Sequence, residues 1–386
     1  MKTFVYPKNN RTILIICICY IFLIGCSIFE DANNNSILNS TFSRSKIAPQ
    51  SLSESRYGHT ATLLNDGRVI IVGGFNKDVW PVKTSEIFNP KTGVWTKTAP
   101  MSASRAFHGA IALKDGRVLV TGGLGHNMTP TASAEVWDPK TDTWKQYLSM
   151  ATGRRGHSSV ELGDGKILIV GGIGQSGPLA LAEIYDTTAD SAWVTNNMLD
   201  PHSDHSSVLL QDGKVLVVAG LKHGSSLSKT EIFDPNTEEW TYTGRMKRRT
   251  FSHKAVTIKN GSVLLIGGFG AGDGPYSVEI YNPIENKWDQ MENQMNEGRS
   301  LHSATLLKDG RILVAGGSNR YGNMESSEIL DPATGIWVTS GSMVAARSNH
   351  TATLLQDGRV LVVGGGASIV EAFDPNIGKW QSSVPK

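Results

Sequence analysis

Three features of the 386-residue sequence predict an all-β fold, a seven-bladed β-propeller of four-stranded antiparallel blades. A passage like His59 to Gly74 returns seven times, and its closing small-residue pairs begin at 73, 122, 171, 219, 267, 316 and 364. The steps are 48 or 49 residues, which marks a repeat architecture. Each passage reads as a β-hairpin: an apolar run to Leu64, Asp66-Gly67 for a tight turn, then Val69 to Val72 running back to Gly73-Gly74. No helical periodicity appears after residue 26. Units of short strands that cannot cover both their faces must stack, and a ring of them is a propeller.

The unit can be read strand by strand, from a to d. Strand a follows Arg56-Tyr-Gly-His59 and leads through the Asp-Gly turn into strand b. Strand b is apolar at every position, so both its faces should be covered. A variable loop, 75–84, leads to Ser85-Glu86-Ile87-Phe88-Asn89-Pro90, a strand before an Asn-Pro or Asp-Pro turn. Strand d is centred on Trp95, and later copies end in Trp144, Trp193, Trp240, Trp288, Trp337 and Trp380. Leu52 opens the first copy, and Met101, Met150, Met198, Met246, Met295 and Met343 open the others.

A glycine doublet, an aromatic-Asp-Pro turn about a dozen residues later and a tryptophan six or seven beyond resemble the kelch repeat. The resemblance covers residues 52–380 and is similar to kelch-repeat lipoproteins and secreted kelch proteins of bacteria. Seven copies run in order from strand a to Trp380, so the ring is expected to close by packing blade 1 on blade 7, with no strand exchanged. Residues 44–50 offer a further strand at that edge. Three departures stand out. Repeat 3 has Asp186-Thr187 in place of the Pro turn and one extra residue before Trp193, from which a bulge is expected. Repeat 4 has His202 for the arginine and Ala219 for a glycine, and repeat 5 has Thr250 for the arginine with Arg249 beside it.

The recurring polar residues invite a catalytic reading. His59, His108, His157, His205, His253, His302 and His350 occupy equivalent places, as do Glu86, Glu135, Glu183, Glu231, Glu279, Glu328 and Glu371. Catalysis needs asymmetry at one place, so a feature repeated seven times is assigned to the repeat. Histidine and glutamate are present in all seven copies and the arginine in only five, so glutamate is expected to pair with histidine across strand b. The alternative is that each bonds separately to nearby backbone.

What varies is more informative. The Asp-Gly and Asp-Pro turns share one face of the disc, while the b–c loops and d–a links share the other. Diverse loops on a rigid scaffold form a recognition surface. Candidate contact residues there are Trp80, His126, Lys222, His223, Tyr276, Arg320 and Tyr321, weighed against ordinary solvated loop tips. Arg245, Lys247, Arg248 and Arg249 link blades 4 and 5 near Lys222 and His223, a positive sector that can attract an anionic partner. The competing reading is that their stems only cover the rim. Glu371 follows Gly365 by six positions, where other blades take eleven or twelve, and a notch in the rim is expected.

Residues 1–25 read as a secretory signal: Lys2, Lys8 and Arg11, then an apolar core from Ile13 to Ile24. Leu23-Ile24-Gly25-Cys26 resembles a lipobox, which implies a lipid on Cys26 and a tether over 26–50. Ser27, which is not an aspartate, leans toward the outer membrane, on its periplasmic or surface-exposed side. Of Cys17, Cys19 and Cys26, only the last would remain, so no internal disulfide can form. Removing Lys2, Lys8 and Arg11 from 37 basic residues leaves 34 against 35 acidic ones, which argues against nucleic acid. Two functions follow. One is a monomeric, non-enzymatic, lipid-anchored module binding a protein or glycan, with no cofactor and no metal. The other is a carbohydrate-active kelch enzyme such as a sugar mutarotase. A copper oxidase of the galactose oxidase kind needs a cross-linked cysteine, and none follows Cys26. Cys26→Ser is expected to abolish lipid labelling and to release the protein from membranes; unchanged partitioning would refute the anchor.

Overall fold

The computed structural model describes residues 51–270 and 274–382. The signal segment, Cys26 and residues 44–50 lie outside the described residues. Seven four-stranded antiparallel sheets follow one another, each ordered a-b-c-d. In blade 1 the strands are Thr60–Leu63, Val69–Val72, Ser85–Asn89 and Val94–Lys97. The Gly67 amide donates to the Leu64 carbonyl at 2.9 Å, and Gly67 has φ 88°. This is the three-residue hairpin loop that needs a left-handed residue at its end. Among the described residues no helix is long and apolar enough to cross a membrane.

Strand b carries the core. Val69, Ile70, Ile71 and Val72 are all fully buried, each worth about 1.5–3 kcal/mol of burial. Their alternation feeds two different seams. Val69 and Ile71 pack toward blade 7, Ile70 and Val72 toward blade 2. An apolar cluster fills every seam between neighbouring blades. At the closing seam Leu52, Val69, Ile71 and Phe88 meet Leu355, Leu361, Val363 and Val370, so packing closes the ring as expected. The a strands touch one another all the way round. They are mostly half-buried where the b strands are buried, because water reaches them along an axial channel.

Three b–c loops hold small hairpins that sequence reading missed, in blades 3, 4 and 6. The short link of blade 7 turns at once through Gly364, Gly365 and Gly366, all with positive φ. Ser51 bridges Ile369 beside that link. The bulge expected in blade 3 is absent: its c–d ladder is regular, with Tyr185 opposite Ala192 and Ile184 opposite Trp193. Elsewhere the residue before the c–d turn faces the tryptophan, as in Phe88 opposite Trp95, or Leu330 opposite Trp337 in blade 6. The extra residue therefore moves Trp193 one place along its strand, onto the other face of the blade. It packs toward blade 4 and donates to Glu238 at 2.8 Å, whereas Trp144 and Trp240 donate back to the preceding blade. A bulge does occur in blade 6, between Ser326 and Glu328.

The repeated glutamate pairs with arginine, and the expectation of a Glu–His pair is wrong. Arg56 Nη2 donates to Glu86 Oε1 at 2.8 Å and Nη1 to the Gly73 carbonyl at 3.0 Å. Arg105–Glu135, Arg154–Glu183, Arg299–Glu328 and Arg347–Glu371 repeat the pair, all buried. The glycine doublet makes room for something else. A Cβ on Gly73 would come within 2.9 Å of His108 Cε1, so the histidine of the next blade lies over the doublet. His108 Nε2 meets Thr60 Oγ1 at 2.9 Å, and His59, His205 and His350 likewise meet Thr351, Ser158 and Ser303 of the preceding blade. His157 meets Thr121 on strand b. The glutamate recurs in all seven copies for a separate reason. It also caps amides of the d–a link, as Glu135 does for Ser102 at 2.7 Å.

Blades 4 and 5 solve the missing arginine differently. His202 spans the Ala219 carbonyl at 2.7 Å and Glu231 at 3.2 Å. In blade 5 the substitute is Arg248, not the Arg249 beside Thr250. Its side chain turns inward to the Gly267 carbonyl and lies 3.9 Å from Glu279. The looser pair has an electrostatic consequence. Burial raises the Glu279 carboxyl, while for Glu135 the same penalty is outweighed by the Ser102 amide and Arg105, and its carboxyl is lowered.

Two outcomes follow. Arg248→Ala leaves a buried carboxylate without its partner and is expected to cost about 3–5 kcal/mol, while Arg249→Ala changes stability little. Urea unfolding of the two variants separates them, and equal losses would refute the inward placement. The second concerns acid. Burial holds His59, His157, His253 and His350 down to about 3, and His108, His205 and His302 well below their ordinary value. The unfolded chain binds protons near 6.5 and the folded one does not. Stability is therefore full above that pH and falls toward pH 3, by about 1.4 kcal/mol per unit for each ring. A melting temperature that stays level from pH 7 to pH 5 would contradict neutral buried rings.

Candidate functional site

The variable face is built by the antiparallel order of every blade, which sends b–c loops and d–a links to one side. The candidate residues named from sequence fall into separate places on it. Trp80, 52 % exposed, stacks on His126 with ring centroids 5.6 Å apart. His126 also borders a cleft of about 530 Å³ with Lys83, Thr84 and Ser102. Arg320 and Tyr321 sit at the tip of the blade-6 hairpin, with the guanidinium 4.7 Å from the ring centroid. Tyr276 lies against Gly298, over the entry to blade 6, and does not line the cationic groove described next.

Lys222, His223, Arg245 and Arg249 are brought together, as expected, in a groove of about 360 Å³ at the seam of blades 4 and 5. One wall is the hairpin of Leu221–Lys222 and Ser225–Ser226, whose turn is made by His223 at φ 48° and Gly224 at φ 82°. The other wall is the d–a link. Arg245 Nε donates to Ser228 Oγ at 3.1 Å and so leans across the groove. Lys247 is exposed on the same link, and Arg248, expected there too, is buried beneath it. Alternation along an extended link explains this: Arg245, Lys247 and Arg249 point out, Met246 and Arg248 point in.

Three functional residues were missed in the sequence: Asp200, Lys229 and Tyr242. Buried Asp200 accepts from Lys222 at 2.7 Å, Lys229 at 3.0 Å and the Tyr242 hydroxyl at 2.9 Å. Burial pushes its carboxyl up, but these donors outweigh that and hold it down to about 2. Asp200 thus fixes two lysines side by side, and Lys229 also lies 4.5 Å over the Tyr242 ring. The groove has four cations against this one engaged carboxylate. A usable signal existed, since Asp200 is an acidic residue in a d–a link that opens repeat 4, the most divergent copy. Such a groove can hold an anionic group through charge-assisted hydrogen bonds. Among the described residues no three His, Cys, Asp or Glu side chains converge as a metal site.

Comparisons with known proteins agree on the architecture. The family profile described as the KLHDC2/KLHL20/DRC7 Kelch-repeats domain matches residues 58–268 and 193–366. No curated protein matches the sequence. Among solved structures, the chain is similar to a fungal alcohol oxidase of the AA5 family in complex with copper, at TM-score 0.65 and 20 % identity. That likeness covers 81 % of this chain and 71 % of the oxidase, and at such identity it speaks for the fold alone. With the profile spanning most of the ring, the chain belongs to the kelch-repeat family of β-propellers.

Proposed function

We propose that this kelch propeller is a non-enzymatic binding module, held in the cell envelope by lipid on Cys26 and engaging an anionic protein or glycan on its variable face. The groove of Lys222, Lys229, Arg245 and Arg249 carries this reading, because Asp200 anchors cations there on a domain that is otherwise near neutral. Binding is favoured over sugar processing because the recurring carboxylates and most of the recurring imidazoles are engaged in holding blades and links together. The outer membrane remains the proposed address, from the residue after Cys26.

The test is capture of envelope components by the mature protein at low and high salt. Lys247→Glu with Arg249→Glu is expected to reduce capture strongly at low salt and little at high salt, since exposed charges are screened over about 8–10 Å. The double variant should keep the wild-type melting temperature. Equal losses from Arg68→Glu with Arg117→Glu, on the Asp-Gly face, would place the partner on the wrong side for this reading.

A further inference from the structure

The axial channel contains a break in the sevenfold pattern at blade 5. The residue after each recurring histidine begins strand a or follows its first residue, and six of the seven are Thr, Ser or Gly. The seventh is Lys254. Thr60, Ser158, Ser303 and Thr351 each meet the imidazole of the following blade, while the hydroxyl of Ser206 does not engage His253. Lys254 offers none to His302, and neither ring nitrogen of His302 or of His253 finds a partner. Five imidazoles are tied to a hydroxyl, and the two left over flank this lysine.

The ammonium itself is uncompensated. It forms no hydrogen bond or ion pair with any of the described residues. Water reaches the side chain, and the surrounding protein lowers its affinity for a proton. Asp204 is the nearby acidic residue, its carbonyl accepting from the Ser252 amide at 3.2 Å, but its carboxyl is governed by burial and by Arg155. Among the described residues no carboxylate is paired with Lys254.

We propose that Lys254 forms a second binding site, inside the axial channel, for a small singly charged carboxylate. One lone cation matches one negative charge, and an ammonium presents three donors to carboxylate oxygens. Ser206 stands at the same level in blade 4 and offers a hydroxyl to the rest of the ligand, whereas the Ser303 hydroxyl in blade 6 is buried and held by His350. Walls of protein weaken screening, so the attraction exceeds that of an exposed lysine. This site is independent of the surface groove, although both arise at blades 4 and 5.

Acetate and D-glucuronate serve as probes of two sizes, titrated calorimetrically into the mature protein and three variants. Lys254→Ser restores the hydroxyl of the repeat and gives His302 a partner, so it is expected to fold; Lys254→Met is the second choice. Saturable binding of at least one probe to the wild type is expected, weakened about tenfold or more in either Lys254 variant, as for loss of a charged hydrogen bond. Arg249→Glu should leave that affinity unchanged. Absence of saturable binding to the wild type, wild-type affinity in Lys254→Ser and Lys254→Met, or loss in Arg249→Glu would each overturn the proposal.

Discussion

A strand buried on both faces cannot be covered by its own sheet, and the whole molecule answers that constraint. Each b strand divides its side chains between two seams, so every blade needs a neighbour on both sides. A linear stack would leave two raw faces at its ends. Closing the stack into a ring removes them, and the last seam is made of the same Val, Leu and Phe contacts as the others. The polar repeat residues serve this arrangement. The Arg–Glu pair ties the start of a blade to its own strand c, and in five blades the histidine ties it to the one before.

Departures from the repeat gather on one sector. His202 and Ala219 belong to blade 4, Arg248, Thr250 and Lys254 to blade 5, and the cationic groove lies over their seam. Ala219 holds φ 51° where other blades have glycine, an unfavourable conformation for a residue with a Cβ. Strain and loosened pairing are tolerated here while the other seams keep the standard bonds. Asymmetry of this kind is what a recognition site requires and a scaffold does not.

Much of the fold was legible because its signals are local. The Asp-Gly turn, the apolar b strand and the 48- or 49-residue step each lie within a short span, and seven copies reinforce one another. The polar partners were less legible. Counting co-occurrence joined Glu86 to His59, because it could not reveal that the glutamate also caps the amides of its own link, as at Ser53, and so recurs with or without arginine. Arg248 was misplaced because identity in an alignment slot favoured its neighbour, whereas alternation along the link decides which side chain turns in. Lys222, His223, Arg245 and Arg249 could be grouped from topology alone. Asp200 could not be joined to Lys229, since a buried carboxylate 29 positions away leaves no periodic trace.

Trp193 gives the ring a sense of address. With its side chain turned toward blade 4, the seam of blades 3 and 4 holds two tryptophans, Trp193 and Trp240. The seam of blades 2 and 3 has none from blade 3 and uses Tyr185 and Tyr147 instead, with the Tyr185 hydroxyl donating to the Leu148 carbonyl at 2.9 Å. Blade 3 therefore acts as a dislocation in an otherwise regular lattice. Tandem repeats this similar invite recombination between copies, and a swap involving the third would crowd one seam and hollow out another. The dislocation makes near-identical units non-interchangeable, and so preserves the order in which the differing loops are displayed.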